Sequence, residues 1–257
     1  MIRVCAWIGS MAKKNSHTAQ YADMLVECLS KLAASRGEEV YYDRILASDV
    51  RIEYCRSCVT CFFRDAPCPM DAIDDMPQVK QRLLDADIIL LGSPVYLGTM
   101  SGVTKSLLDR ISYWAHRFEL AGKVGYAFAT TSNSYGQEVV QSLTNALYFF
   151  GCTNVEGRYG ITQSKPVGFV HEDALKEKLQ MDAQRILDAY DDPIAHVDPR
   201  MYDMYRLIRK NARFSKKLEE IAGIEPRYEV KVNASRGMIE CLTFDEYAKR
   251  MMAARAH

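Results

Sequence analysis

Residues 87–95 read Asp-Ile-Ile-Leu-Leu-Gly-Ser-Pro-Val, an almost wholly apolar run. A strand of this kind must be covered on both faces, which is the situation of a central strand in a parallel sheet. The chain around it supplies the cover. Residues 2–8 read as a buried strand, 16–36 as an amphipathic helix and 40–45 as a second strand. Residues 77–85 and 101–116 read as helices, 123–131 as a strand, 137–150 as a helix, 155–161 as a weaker strand and 172–190 as a long helix. Five alternating pairs predict an α/β domain over 1–192, a doubly wound five-stranded parallel sheet with helices on both faces. After Pro193 the pattern changes to charged helical pieces, 200–222 and 244–255 among them. Residues 193–257 are therefore expected to form a C-terminal helical extension: an arm between subunits, a lid over the site, or a tail folded onto its own domain.

The alternation is interrupted once. Residues 46–76 show no sustained periodicity, and so long a structureless loop in a compact domain is functional or disordered. It holds Cys55, Cys58, Cys61 and Cys68, half of the eight cysteines; Cys5, Cys28, Cys152 and Cys241 are scattered among apolar or helical neighbours and read as small buried hydrophobes. The N-terminus has no secretion-type segment, which points to a cytoplasmic protein whose clustered thiols are reduced or bind metal. With 33 basic and 33 acidic residues, nothing in the charge calls for nucleic acid or an anionic membrane, and no stretch approaches the roughly 20 apolar residues of a membrane span. A small-molecule partner is expected instead.

In an open α/β sheet, ligands sit beyond the carboxyl ends of the strands where strand order reverses. The first such loop, Gly9-Ser10-Met11-Ala12-Lys13-Lys14-Asn15-Ser16-His17-Thr18, puts hydroxyl, amide and lysine side chains directly before a helix. Helix N-terminal amides and hydroxyls suit a phosphate monoester, although Ser, Thr and Asn also cap helices that touch no ligand. The third strand ends in Ser93-Pro94-Val95-Tyr96-Leu97-Gly98-Thr99-Met100-Ser101-Gly102, whose Pro and Gly permit a tight turn and whose Tyr96 offers a face to a flat ring.

These two segments resemble the NADPH-dependent FMN reductase group of flavodoxin-like proteins. The string from Ser93 to Ser101 is nearly intact, and Lys105, Asp109 and Arg110 close the motif. The resemblance covers residues 2–190 and implies FMN. Ser10, Lys13, Asn15, Ser16, His17 and Thr18 would bind its phosphate. Ser93, Pro94, Val95, Tyr96, Leu97 and Gly98 would line its ring, and Thr131, Ser132, Asn133 and Gly136 would approach its other edge. Met11 stands where Pro is common and His17 where Asn is usual. NAD(P)H use is implied by the family alone, since no Gly-x-Gly-x-x-Gly fingerprint is present. Relatives form homodimers or homotetramers.

The run Cys55-x2-Cys58-x2-Cys61-x6-Cys68-Pro69 has the compact spacing that wraps one cubane cluster. It resembles the iron–sulfur flavoproteins, a branch of the same superfamily, and implies a 4Fe-4S cluster. Zinc or free redox thiols remain as alternatives, although zinc ligands more often come as two separated pairs. The expected activity is a flavin-dependent oxidoreductase that exchanges electrons with a small molecule or with a redox protein such as ferredoxin. A cluster-free NAD(P)H-dependent FMN or quinone reductase and a plain electron carrier are the other readings. Asp74 and Asp75 read as a solvated turn or helix cap, His116 as a charge at a helix end, and no residue is assigned as catalytic acid or base.

Overall fold

In the computed structural model, which describes residues 1–164 and 167–255, the apolar run becomes β3 (Ile88–Tyr96), with β1 (Ile2–Ile8) hydrogen-bonded to one side and β5 (Val124–Thr131) to the other. β2 (Val40–Leu46) lies outside β1, and β6 (Thr153–Ser164) and β7 (Val167–Phe169) lie beyond β5, giving the order β2-β1-β3-β5-β6-β7. The β1–β2, β1–β3, β3–β5 and β5–β6 pairs are parallel. Two short antiparallel pieces join the five expected strands: β7 on β6, and β4 (Thr99–Met100) folded back on β3.

The period-2 alternation of each strand divides the core between two faces. Val4, Ala6, Ile8, Leu90, Tyr126 and Phe128 pack under α1 (His17–Ser35) and α6 (Glu172–Asp191). Trp7, Ile89, Leu91, Ala127 and Ala129 pack on the other face under α3 (Met76–Asp85), α4 (Gly102–Arg110) and α5 (Gly136–Phe149). The expected helix over 101–116 stops at Arg110, and Ser112–His116 continues as a 3-10 segment. The cysteine-bearing loop contains one short helix, α2 (Thr60–Phe63), and a 3-10 turn at Pro69–Ala72.

The extension folds back on its own chain. α7 (Arg200–Ala222), α8 (Tyr228–Ser235) and α9 (Phe244–Arg255) build a third core in which Met201, Tyr205, Met238, Phe244 and Tyr247 surround Phe118, Ala121 and Tyr148. Its polar ties are specific. Tyr205 donates to the carbonyls of Met238 and Cys241 at 3.1 and 3.0 Å, Tyr247 donates to Arg117 O at 2.9 Å, and Arg236 pairs with Glu119 at 2.7 Å. α8 was not visible as a helical pattern because the side chains it buries are Glu229, Val230 and Asn233, which make no apolar stripe. Among the described residues no helix is long and apolar enough to cross a membrane.

Candidate functional site

β1 leads outward to β2, and β3 begins the other half of the sheet, so strand order reverses between β1 and β3. The loops after these strands are locked together. Gly9 N donates to Gly92 O at 2.8 Å, and Ser101 Oγ donates to Gly9 O at 2.6 Å. Ser101 also caps α4, and Thr104 behind it accepts from Trp7 Nε1 at 3.1 Å. A Cβ on residue 9 would stand 1.8 Å from Thr104 Oγ1, so only glycine allows this approach.

Along the first loop, Ser10 Oγ accepts from Ala12 N at 3.2 Å, and Lys13, at φ 44°, opens a 3-10 turn that ends at Asn15. Lys13 and Asn15 are exposed. Ser16 caps α1 by accepting from Ala19 N at 3.1 Å, and the first amides of the helix have no intrahelical acceptor. Thr18 is buried and shares a 2.8 Å hydrogen bond with Thr130, while His17 Nε2 lies 3.2 Å from Gln163 O. Hydroxyls at 16 and 18 thus brace the start of α1, and Lys13, Asn15 and the helix amides remain for a phosphate.

Ser93 is wholly buried. It accepts from Ser101 N at 2.9 Å and donates to Pro94 O at 2.8 Å, bracing the hairpin from within. Pro94 and Val95 are half-buried, Tyr96 and Leu97 exposed. Leu97 and Gly98, at φ 49° and 74°, make a two-residue turn with both central residues at positive φ, the twist that suits a hairpin. After β5, Thr131 Oγ1 donates to Ser134 O at 2.7 Å, Ser132 and Asn133 are exposed, and Tyr135 at φ 60° begins α5. Gly136 lies so close to Tyr159 that a Cβ would stand 2.4 Å from its ring. A Cβ on Gly98 would lie 3.4 Å from the Tyr135 ring, so the second and third loops adjoin. All three expected loops therefore share the carboxyl edge of the sheet, with Tyr96 and Tyr135 exposed on two of them.

The cysteine loop is held at both feet by buried ions. Arg110 pairs with Asp74, with Asp71 at 2.6 Å, and donates to Glu53 O at 2.9 Å; Lys80 meets Asp71 at 2.6 Å. Asp74 is accordingly no solvated turn. Burial alone would raise its pKa, but Arg110 and the Glu53 and Met76 amides hold it below the ordinary carboxylate range. Between the feet, Ser57 and Val59 take positive φ, Cys55 and Cys58 are exposed, and Cys61 and Cys68 are half-buried. The Cys61 thiol is raised, first by its burial and then by Cys68, Cys55 and Cys58, so it feels all three others. The Thr60 hydroxyl lowers the Cys58 thiol. Among the described residues, no three His, Cys, Asp or Glu side chains are grouped closely enough to hold a metal ion.

Beneath this loop lies a cavity of about 250 Å³ lined by Cys61, Cys68, Lys80, Tyr113, Arg117 and Tyr228, among others. Arg117 is 7% exposed. Its guanidinium lies 4.9 Å from the Tyr113 ring centroid and 5.2 Å from that of Tyr228, and Nη2 donates to Cys61 O at 2.8 Å. Its Nε has no partner. Cys61 and Cys68 line this cavity beside a buried arginine with an orphaned N–H, a pairing that suits an anionic, thiolate-bound group in charge and donor type.

Residues 2–166 match the family model of NADPH-dependent FMN reductases. The chain belongs to that family. An iron–sulfur flavoprotein of Methanocaldococcus jannaschii is 35% identical over 116 residues, 44% of this chain and 58% of the relative, so the match spans little more than half of that protein. Another, of Archaeoglobus fulgidus, is 26% identical over 171 residues, 66% of this chain and 74% of the relative. Among solved structures, RosB with a bound 8-demethyl-8-formylriboflavin-5'-phosphate intermediate superposes at a TM-score of 0.56 and 15% identity, covering 89% of this chain and 92% of RosB. That likeness is one of fold.

Two features of this FMN reductase family member escaped the motif reading. Tyr21 and Tyr126 hydroxyls lie 3.0 Å apart in the core, Tyr126 donates to Asp182 at 2.8 Å, and Arg158 pairs with Asp182, joining α1, β5, β6 and α6 through one polar chain. The Arg117 clamp is the other. It joins a 3-10 segment to a helix of the extension, and no spacing in the sequence announces a contact between residues 117 and 228.

Proposed function

We propose that this chain is an FMN-dependent oxidoreductase of the iron–sulfur flavoprotein type, moving electrons between a 4Fe-4S cluster, FMN and a small-molecule or protein partner. The reading is carried by one coincidence: loops with the flavin-type motif gathered at the β1/β3 switch and a four-thiol loop over a buried, counter-ion-free arginine occur in the same chain. The names of the M. jannaschii and A. fulgidus relatives support extending the family assignment to this branch.

Ser10, Lys13, Asn15 and the first amides of α1 would receive the FMN phosphate. Gly9 keeps the first loop low enough for a close approach, and the Pro94–Gly98 hairpin and the Thr131–Gly136 loop would receive the ring from two sides. Cys55, Cys58, Cys61 and Cys68 would hold the cluster. FMN, when bound, accepts electrons as a hydride pair and releases them singly. The chain's own part is to fix the ring against rigid, braced loops, leave one face open to a partner, and keep the cysteine loop anchored through Arg110. NAD(P)H or a reduced ferredoxin is the electron donor in this reading, and the working unit is a homodimer or homotetramer.

A second reading is favoured by the absence, among the described residues, of three thiols at metal-binding distance. It is a cluster-free NAD(P)H-dependent FMN or quinone reductase with free thiols in the loop; zinc in the loop is its other form, which this observation does not favour. Anaerobic purification followed by iron, zinc and flavin assays decides between them. About one FMN with about four irons per chain supports the first reading; FMN without iron selects the second, and no flavin overturns both. Anaerobic addition of NAD(P)H should bleach the flavin within minutes, and an unbleached spectrum removes nicotinamide as donor.

A further inference from the structure

Three cations that are buried or half-buried, Arg110, Lys80 and Arg117, lie against the cysteine loop, and two of them are neutralised. Arg110 pairs with Asp74 and Asp71, and Lys80 with Asp71. Arg117 is different. It is 7% exposed, and no carboxylate of the described residues pairs with it. Of the acids lining the same cavity, Asp71 is paired with Arg110 and Lys80, and Asp65 is turned to the Tyr228 hydroxyl and makes no ion pair with Arg117.

The arrangement is lopsided in charge. Desolvating a guanidinium is costly even after relaxation. Two aromatic faces and one hydrogen bond to the Cys61 carbonyl offset that cost but supply no opposite charge. The Nε proton is satisfied by nothing. A buried positive charge held this rigidly, against the wall that Cys61 and Cys68 line, is arranged for an anion in that cavity.

We infer that Arg117, clamped between Tyr113 and Tyr228, is the counter-ion of the metal centre held by Cys55, Cys58, Cys61 and Cys68, and that its fixed charge raises the reduction potential of that centre. The inference rests on the cluster reading above. Arg117 acts as a positioning and electrostatic residue: it ties the Cys61 carbonyl and stabilises the extra negative charge that one-electron reduction adds, with no proton transferred. Because Tyr228 belongs to the extension, the segment outside the family match forms one side of this clamp.

The experiment uses the full chain, reconstituted anaerobically with iron and sulfide and titrated with dithionite against redox mediators while visible and paramagnetic-resonance spectra are recorded. Arg117→Gln keeps an amide donor for the Cys61 carbonyl and removes the charge; Arg117→Lys keeps the charge. Arg117→Gln should shift the one-electron equilibrium at least tenfold toward the oxidised form, about 59 mV more negative, with Arg117→Lys within threefold of the parent. Loss of iron from Arg117→Gln alone, with flavin retained by both variants, carries the same meaning. Equal potentials in the parent and Arg117→Gln overturn the inference and leave the cluster reading standing, as does iron lost equally from both variants. A parent chain that takes up no iron overturns the cluster reading itself, and this inference with it.

Discussion

Ser101 Oγ donates to the carbonyl oxygen of Gly9 at 2.6 Å, joining residues 92 positions apart across the point where strand order reverses. The same oxygen caps α4, so one side chain sets the height of the first loop and the start of the helix behind it. Ser101→Ala should destabilise the fold by about 1–3 kcal/mol, the cost of a lost cap and an unsatisfied buried carbonyl. It should also weaken FMN retention, measured by fluorescence quenching alongside urea unfolding.

Gly9→Ala should be harsher on the flavin than on the fold. Its new Cβ, 1.8 Å from Thr104 Oγ1, can be relieved only by lifting the loop or displacing Thr104 from Trp7. The expected outcome is a chain with parental far-ultraviolet dichroism that purifies without flavin. Stoichiometric FMN in this variant would contradict the assigned flavin site.

Leu97 takes φ 49° in the hairpin with its side chain fully in solvent, a conformation a branched aliphatic residue adopts at a cost. Leu97→Asn builds the favoured Asn-Gly turn and should stabilise by about 0.5–1 kcal/mol, a rise in melting temperature of about 2–4 °C at most. If the leucine is kept for contact with a bound ring or its partner, flavin affinity or KM should worsen in the same variant.

The Arg110–Asp74 pair is closed to solvent on both sides. Asp74→Ala leaves the buried Arg110 guanidinium with Asp71 as its one carboxylate partner and should cost about 3 kcal/mol, the low end for a broken buried pair, with faster proteolytic cleavage in residues 54–70. The pair also carries a pH signature. Asp74 titrates below its unfolded value of about 3.9, so its contribution is complete above that pH and is lost as pH falls through the lower folded value. Urea midpoints of parent and Asp74→Asn should converge below about pH 4.

Lys123 works in the opposite direction. Burial first, then Arg255, lowers its pKa to about 8, and its ammonium donates to Ala86 O. Between pH 8 and its unfolded value of about 10.4, the unfolded chain binds more protons, so stability should rise with pH across this window. The rise attributable to Lys123 is about 3 kcal/mol. Lys123→Met should abolish that part of the slope, read from the parent-minus-variant difference at pH 7.5 and 10.

How much of this was legible depended on the range of the interaction. β1 could be read to the residue because burial on both faces leaves an apolar string broken by Arg3 alone, and α9 because its ends coincide with charged turns. The switch-point loops were legible as strings. What the strings did not convey is direction: Thr18 and Ser93 turn their hydroxyls inward, toward Thr130 and Ser101, because only the folded sheet brings those partners near. Asp74 looked like one of two solvent-facing acids until Arg110, 36 residues later, closed over it. Arg117 carried no signal at all, since its setting requires a helix that lacks an apolar stripe.

The position of α8 also orders the life of the molecule in time. Synthesis delivers the N-terminal elements first, so the segment from Cys55 to Cys68 leaves the ribosome well before Tyr228, which closes one wall of its cavity. Until the last helices dock on Phe118 and Tyr148, that wall is missing and Cys61 and Cys68 are open on the side later sealed. The cavity is thus assembled in a fixed order: sheet, then loop, then cover.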